Sequence, residues 1–93
     1  MHVLTHHAQQ RLQQRAIPEW IIDLLDAFGH YHYIGNGLVC IHLSKRALNR
    51  IKEHCDSHLW KAVINCCGAY VIESVSDRAV VTVGWRSKRI KAK

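Results

Sequence analysis

His7, Arg11 and Arg15 recur at intervals of four residues. On a helix that spacing keeps them on nearly one face, drifting by about 40° per step. An imidazole moves protons near neutral pH, while guanidiniums bind phosphate through paired hydrogen bonds and steady developing charge. The set suits chemistry on a phosphodiester, although a solvated or ion-paired basic stripe produces the same row. A second set stands near the other end, in the run Ala79-Val80-Val81-Thr82-Val83-Gly84-Trp85-Arg86. Strand alternation puts Val80, Thr82 and Gly84 on one face and Val81, Val83 and Trp85 on the other. Thr82 and Arg86 then point the same way, and a hydroxyl and a guanidinium so placed can meet one phosphate. A strand-forming threonine followed by the first cation of a tail gives the same pattern.

Other reactive types are less well arranged. His30 and His32 share a strand face and His6-His7 sits near the start. Neither Cys-x-x-Cys nor His-Glu-x-x-His occurs, and few acids stand ready to complete a site. No metal and no cofactor are expected. Tyr31, Tyr33 and Trp60 can stack on bases or fill a core. Cys40, Cys55, Cys66 and Cys67 include an adjacent pair and follow no disulfide spacing, so they read as reduced thiols packing like small hydrophobes. With only Lys61 as a nearby cation, Cys66-Cys67 is not read as a nucleophile.

The elements that must position these residues are legible in outline. Thr5 is an N-cap for a helix reaching about Arg15, with a thin apolar stripe of Leu4, Ala8, Leu12 and Ala16. Pro18 fits the first position of a second helix, with Glu19 in its first turn, Trp20, Ile21, Leu24, Leu25 and Phe28 as its stripe, and Gly29 as its stop. Residues His30–Ile34 and Leu38–Leu43 predict a hairpin around Gly35-Asn36-Gly37. Ser44 caps a third helix carrying Ala47, Leu48, Ile51 and Cys55. Ser57–Cys67 leans helical but is rich enough in β-branched residues to leave a strand open. Ala69–Val75 and Ala79–Trp85 predict a second hairpin around Ser76-Asp77. The order α-α-β-β-α-(α)-β-β predicts an α+β fold, N-terminal helices packed on a four-stranded antiparallel sheet.

Length and charge frame the function. Ninety-three residues suit one domain, expected over 1–86, with a basic, frayed tail at 87–93. The chain carries +6 with histidines neutral and a pI near 9.5. Arg86, Lys88, Arg89, Lys91 and Lys93 crowd its end, so a polyanion is the expected partner and Lys88, Arg89 and Lys91 are expected to bind nucleic acid. No run approaches the ~20 apolar residues of a membrane span. The opening residues lack the pattern of a secretory signal. The reading is cytoplasmic, without membrane attachment.

The stretch T-H-H-A-Q-Q-R-L-Q-Q-R-A-I-P-E-W-I resembles a widespread family of small uncharacterised bacterial proteins. Their pattern is a histidine-alanine pair, arginines four and eight positions after the histidine, then an isoleucine and a helix. It closes on a hairpin ending in a Thr-Val-x-x-Arg strand. The matching positions are His7, Ala8, Arg11, Arg15, Ile17, Tyr70, Thr82, Val83 and Arg86. Trp85 stands where the family often has a histidine, and the Leu59–Cys67 segment is additional. The family is thought to be related to RelE/ParE-like toxins and, remotely, to metal-independent ribonucleases of barnase- or colicin-like fold. It tends to occur on plasmids, mobile elements and integron cassettes. The resemblance implies helices followed by a four-stranded antiparallel sheet.

Two functions follow as expectations. One is a metal-independent endoribonuclease of the toxin type, with His7 as general acid or base, Arg11 and Arg15 on the scissile phosphate, and Thr82 with Arg86 completing the site. The ribose 2′-hydroxyl would attack, leaving a cyclic phosphate. The other is a non-catalytic accessory protein binding nucleic acid or protein through the same basic surface. The partners expected are nucleic acid, RNA ahead of DNA, and an acidic antitoxin protein. The two readings differ in geometry, since catalysis requires His7 and Arg86 to converge on one cleft.

Overall fold

Three side chains start three of the four helices. Thr5 Oγ1 accepts from the Ala8 amide at 3.1 Å, Ser44 Oγ from Ala47 at 3.1 Å, and Asp56 Oδ1 from Leu59 at 2.8 Å. Each bond satisfies an amide that the first turn leaves without a partner. The computed structural model describes residues 3–86. It comprises α1 (His6–Gln14), α2 (Trp20–Phe28), β1 (His30–Gly35), β2 (Leu38–His42), α3 (Lys45–Glu53), α4 (Ser57–Cys66), β3 (Ala69–Ser74) and β4 (Val80–Trp85). The α+β order expected from the sequence holds, and the ambiguous Ser57–Cys67 segment is helical. Asp56 supplies the cap that settles it, outweighing the β-branched Val63 and Ile64. The basic tail, with Lys88, Arg89 and Lys91, lies outside the described residues.

The strands lie side by side in chain order, every neighbour antiparallel, with α3 and α4 inserted between β2 and β3. Ile41, Val71 and Val83 face one another across three strands and are all but fully buried. The buried residues of all four helices join the same cluster: Ala8 and Leu12, Ile21 and Leu25, Ala47 and Ile51, Val63 and Cys66. The helices therefore cover one face of the sheet. Cys40 is buried but stands outside that cluster, as its place on the other face requires.

One alternation expected from the sequence is corrected. Ile72 pairs with Thr82 while Glu73 pairs with Val80, so Val81 is the extra residue of a bulge. The bulge turns Val80 into the core, fully buried, instead of leaving it on the Thr82 face. Thr82 and Gly84 keep the face expected of them. Among the described residues no helix is long and apolar enough to cross a membrane. All four cysteines are free thiols, Cys40 and Cys66 buried and Cys55 and Cys67 half-buried.

Candidate functional site

The sheet face opposite the helices is polar and rich in histidine. One cross-strand row runs His30–His42–Tyr70–Gly84, and the next runs His32–Cys40–Ile72–Thr82. Tyr70 lies across Gly84, where a Cβ would stand 2.8 Å from its hydroxyl, so glycine lets the ring lie flat on the strand. Arg86 follows this row. Its amide donates to Gly68 O at 2.8 Å, and Nη2 reaches across to the Leu43 carbonyl at 2.9 Å. That bond occupies one of the five guanidinium N–H groups.

His32 and His42 form the centre of the face. Their Nε2 atoms are 2.7 Å apart, the ring centres 4.8 Å, and the planes within 2°. Rings of this size reach such a separation only by lying nearly coplanar and meeting head to head, one nitrogen donating to the other. A zinc ion would need both lone pairs to converge on a point about 2.0–2.1 Å from each nitrogen. Here the nitrogens oppose each other across a hydrogen bond. In keeping with this, no group of three or more His, Cys, Asp or Glu side chains among the described residues is arranged to hold a metal ion. His30 packs edgewise on the pair, with ring centres 4.3 Å from His32 and 5.9 Å from His42.

Burial sets the charge of the pair. His42 is 5% exposed, and desolvation, followed by the Arg86 charge and His32, pushes its imidazole down to about 4. Desolvation, followed by the His30 charge, also lowers His32. Both rings are therefore neutral at pH 7. Burial likewise pushes the Cys40 thiol up, so it stays protonated despite the opposing pull of Arg86.

The residues singled out from the sequence do not converge. His7, Arg11 and Arg15 are together on α1, where Arg11 Nε donates to His7 Nε2 at 3.3 Å. That helix packs through Ala8 and Leu12 into the cluster containing Val83, and Trp85 Nε1 donates to the Arg15 carbonyl at 2.7 Å. Thr82 and Arg86 belong to the opposite face. The expected cleft joining the two sets is corrected, because strand alternation separates Val83 and Trp85 from Thr82 and Arg86. Arg86 meets the histidine pair. Thr82 shares the face but stands two strands and one row from His42, about 12 Å away.

Tyr31 and Trp60 are engaged elsewhere. The Tyr31 hydroxyl donates to Asp26 Oδ1 at 2.7 Å, and Arg78 Nη2 donates to the same oxygen at 2.6 Å. Burial and the Asp26 bond hold the Tyr31 phenol up at about 12. Trp60 lies under Lys52. The comparisons with known proteins add no neighbour: no family model, no curated protein and no solved structure matches the chain.

Proposed function

We propose that the chain is a metal-independent endoribonuclease of the RelE-like kind its N-terminal motif resembles, acting from the open sheet face rather than from α1. The observation that carries this reading is the His32–His42 pair, neutral and 2.7 Å apart, with Arg86 beside it. A neutral pair can accept the proton of a ribose 2′-hydroxyl as that oxygen attacks phosphorus. The proton lands on Nδ1 of half-buried His32, the ring that donates through Nε2–H to His42; the imidazolium so formed keeps that hydrogen bond, then returns the proton to the departing 5′-oxygen. Atoms and charge balance: the products are a 2′,3′-cyclic phosphate and a free 5′-hydroxyl. Arg86 supplies charge-assisted hydrogen bonds to the phosphoryl oxygens, whose negative charge concentrates in the transition state. The substrate is RNA rather than DNA, because only RNA carries the attacking hydroxyl. The action belongs in the cytoplasm, and an acidic antitoxin would restrain it by pairing with Arg86 and covering the histidine pair.

The test is cleavage of RNA with EDTA present. A general acid–base contributes ~10²–10⁴-fold, and that loss is expected for His32→Gln and His42→Asn. Arg86→Ala should lose about 10²-fold or more. His7→Ala, on the far side of β4, should cut at the wild-type rate. Full activity in His42→Asn, or loss confined to His7→Ala, would return the chemistry to α1. RNA binding without cleavage in the wild type would leave a non-catalytic binding protein.

A further inference from the structure

Helix α3 displays Lys45, Arg46, Arg50 and Lys52 on its exposed side, while Ala47 and Ile51 face the core. None of the four is in an ion pair with a described carboxylate. Two are seated on aromatic rings, the Arg50 guanidinium carbon 5.8 Å from the Phe28 ring centre and Lys52 Nζ 5.8 Å from that of Trp60. Such seats restrain long side chains at the surface without neutralising them. Lys45 and Arg46 occupy the first turn, which contains no acid. There the helix dipole repels cations, so local stability argues against these residue types. They also begin two residues after Leu43, whose carbonyl holds Arg86. Lys45 and Arg46 thus follow directly on the carbonyl that holds Arg86, and Arg50 and Lys52 extend the charge along the helix.

We infer that α3 is a track for the RNA backbone: a single strand bound on the open face passes Arg86 and continues along Lys45, Arg46, Arg50 and Lys52. This rests on the reading of the open face as an RNA site. The partner is a phosphodiester chain because the exposed side of α3 sets four cations against one acid, Glu53. Its contacts add affinity for long substrates and carry no sequence information.

The experiment measures binding of 2′-O-methyl RNA, which cannot be cleaved for want of a free 2′-hydroxyl, across a range of salt. Two lengths are used, about four and about twenty nucleotides, the shorter comparable with a single site. Lys45→Glu with Arg46→Glu is the main variant. The dipole favours acids in this turn, so the midpoint of thermal unfolding should rise by about 2–5 °C. For the long oligonucleotide the slope of log K against log salt should fall by at least about 1.4, about 0.7 for each lost contact. Affinity for the short one and cleavage of a dinucleotide should be unchanged. Arg50→Gln with Lys52→Gln should lower the long-oligonucleotide slope similarly. A stable variant with an unchanged slope overturns the track, as does equal loss for both lengths. Displacement of the long strand by polyglutamate as readily as by RNA also overturns it, in favour of an acidic protein. Length-dependent losses in the variants, alongside a wild type that cleaves nothing, support the track and sink the catalytic reading alone.

Discussion

A neutral histidine pair beside an arginine responds to whatever anion the arginine binds. Arg86 helps to push His42 down to about 4, because a cation nearby disfavours a second one. Phosphate on the guanidinium cancels that charge and should draw a proton onto the pair. Inorganic phosphate is therefore expected to raise the His42 titration measured by NMR, an effect that Arg86→Gln abolishes. A titration indifferent to phosphate would separate Arg86 from the pair functionally. Thr82, two strands away, is a weaker candidate, and Thr82→Val should change the cleavage rate less than about 3-fold, within the range of a contact that is not made in the transition state. At this scale the sequence was half legible. Arg86 stands out by type and position, but spacing drew His7 into its company because a helical row of chemically apt residues says nothing about which side of a sheet the helix lies on. The histidines were readable in retrospect. A hairpin centred on Asn36 pairs His30 with His42 and places His32 one row along. His42 has no signal of its own, because its two chain neighbours, Ile41 and Leu43, are core residues and the strand is apolar around it.

Elements were the most legible level, because each carries its own punctuation. Thr5 and Ser44 mark helix starts where the sequence places them, and Asp56 marks a third that the structure adds. Gly29 marks the end of α2 for a steric reason. A Cβ there would run into the Leu25 carbonyl and the Ile41 side chain, where the helix end presses on the sheet. Gly29→Ala should destabilise the fold by about 1–3 kcal/mol, the range for overpacking a tight contact, measured by urea unfolding. Ala16 is the opposite case, a non-glycine residue held at φ 52° just past α1. Its amide bonds to Gln13 O and that of Ile17 to Leu12 O, closing the helix end. Ala16→Gly should stabilise by about 0.5–1 kcal/mol, because the left-handed conformation strains a Cβ. The β4 bulge has no signal in the sequence. Val80-Val81-Thr82-Val83 alternates too uniformly to show where one residue is extra, and the pairing with Ile72 and Glu73 decides it.

The whole molecule separates its tasks by layer: helices cover one face of the sheet, and the other is left to histidine, tyrosine and arginine. The arrangement makes stability sensitive to acid. The fold lowers His42 from 6.5 to about 4 and shifts His32 in the same direction, so the unfolded chain binds more protons in this interval. The contribution is fully present above about pH 6.5 and is lost as the pH falls towards 4. Urea midpoints should decline through that window and His42→Asn should flatten the decline; an equal decline in the variant would show that other groups are responsible. Charge at this scale was legible as a preference for polyanions, whereas the seat of that charge depended on topology, which brings Arg86 to the Leu43 carbonyl just ahead of α3. The most direct measurement is product analysis of a ribodinucleotide incubated with the protein in EDTA at neutral pH. A 2′,3′-cyclic phosphate with a free 5′-hydroxyl, formed by the wild type and lost in His32→Gln, is the predicted result. An intact dinucleotide at high enzyme excess, a 5′-phosphate product, or cyclic phosphate formed equally well by His32→Gln would contradict it.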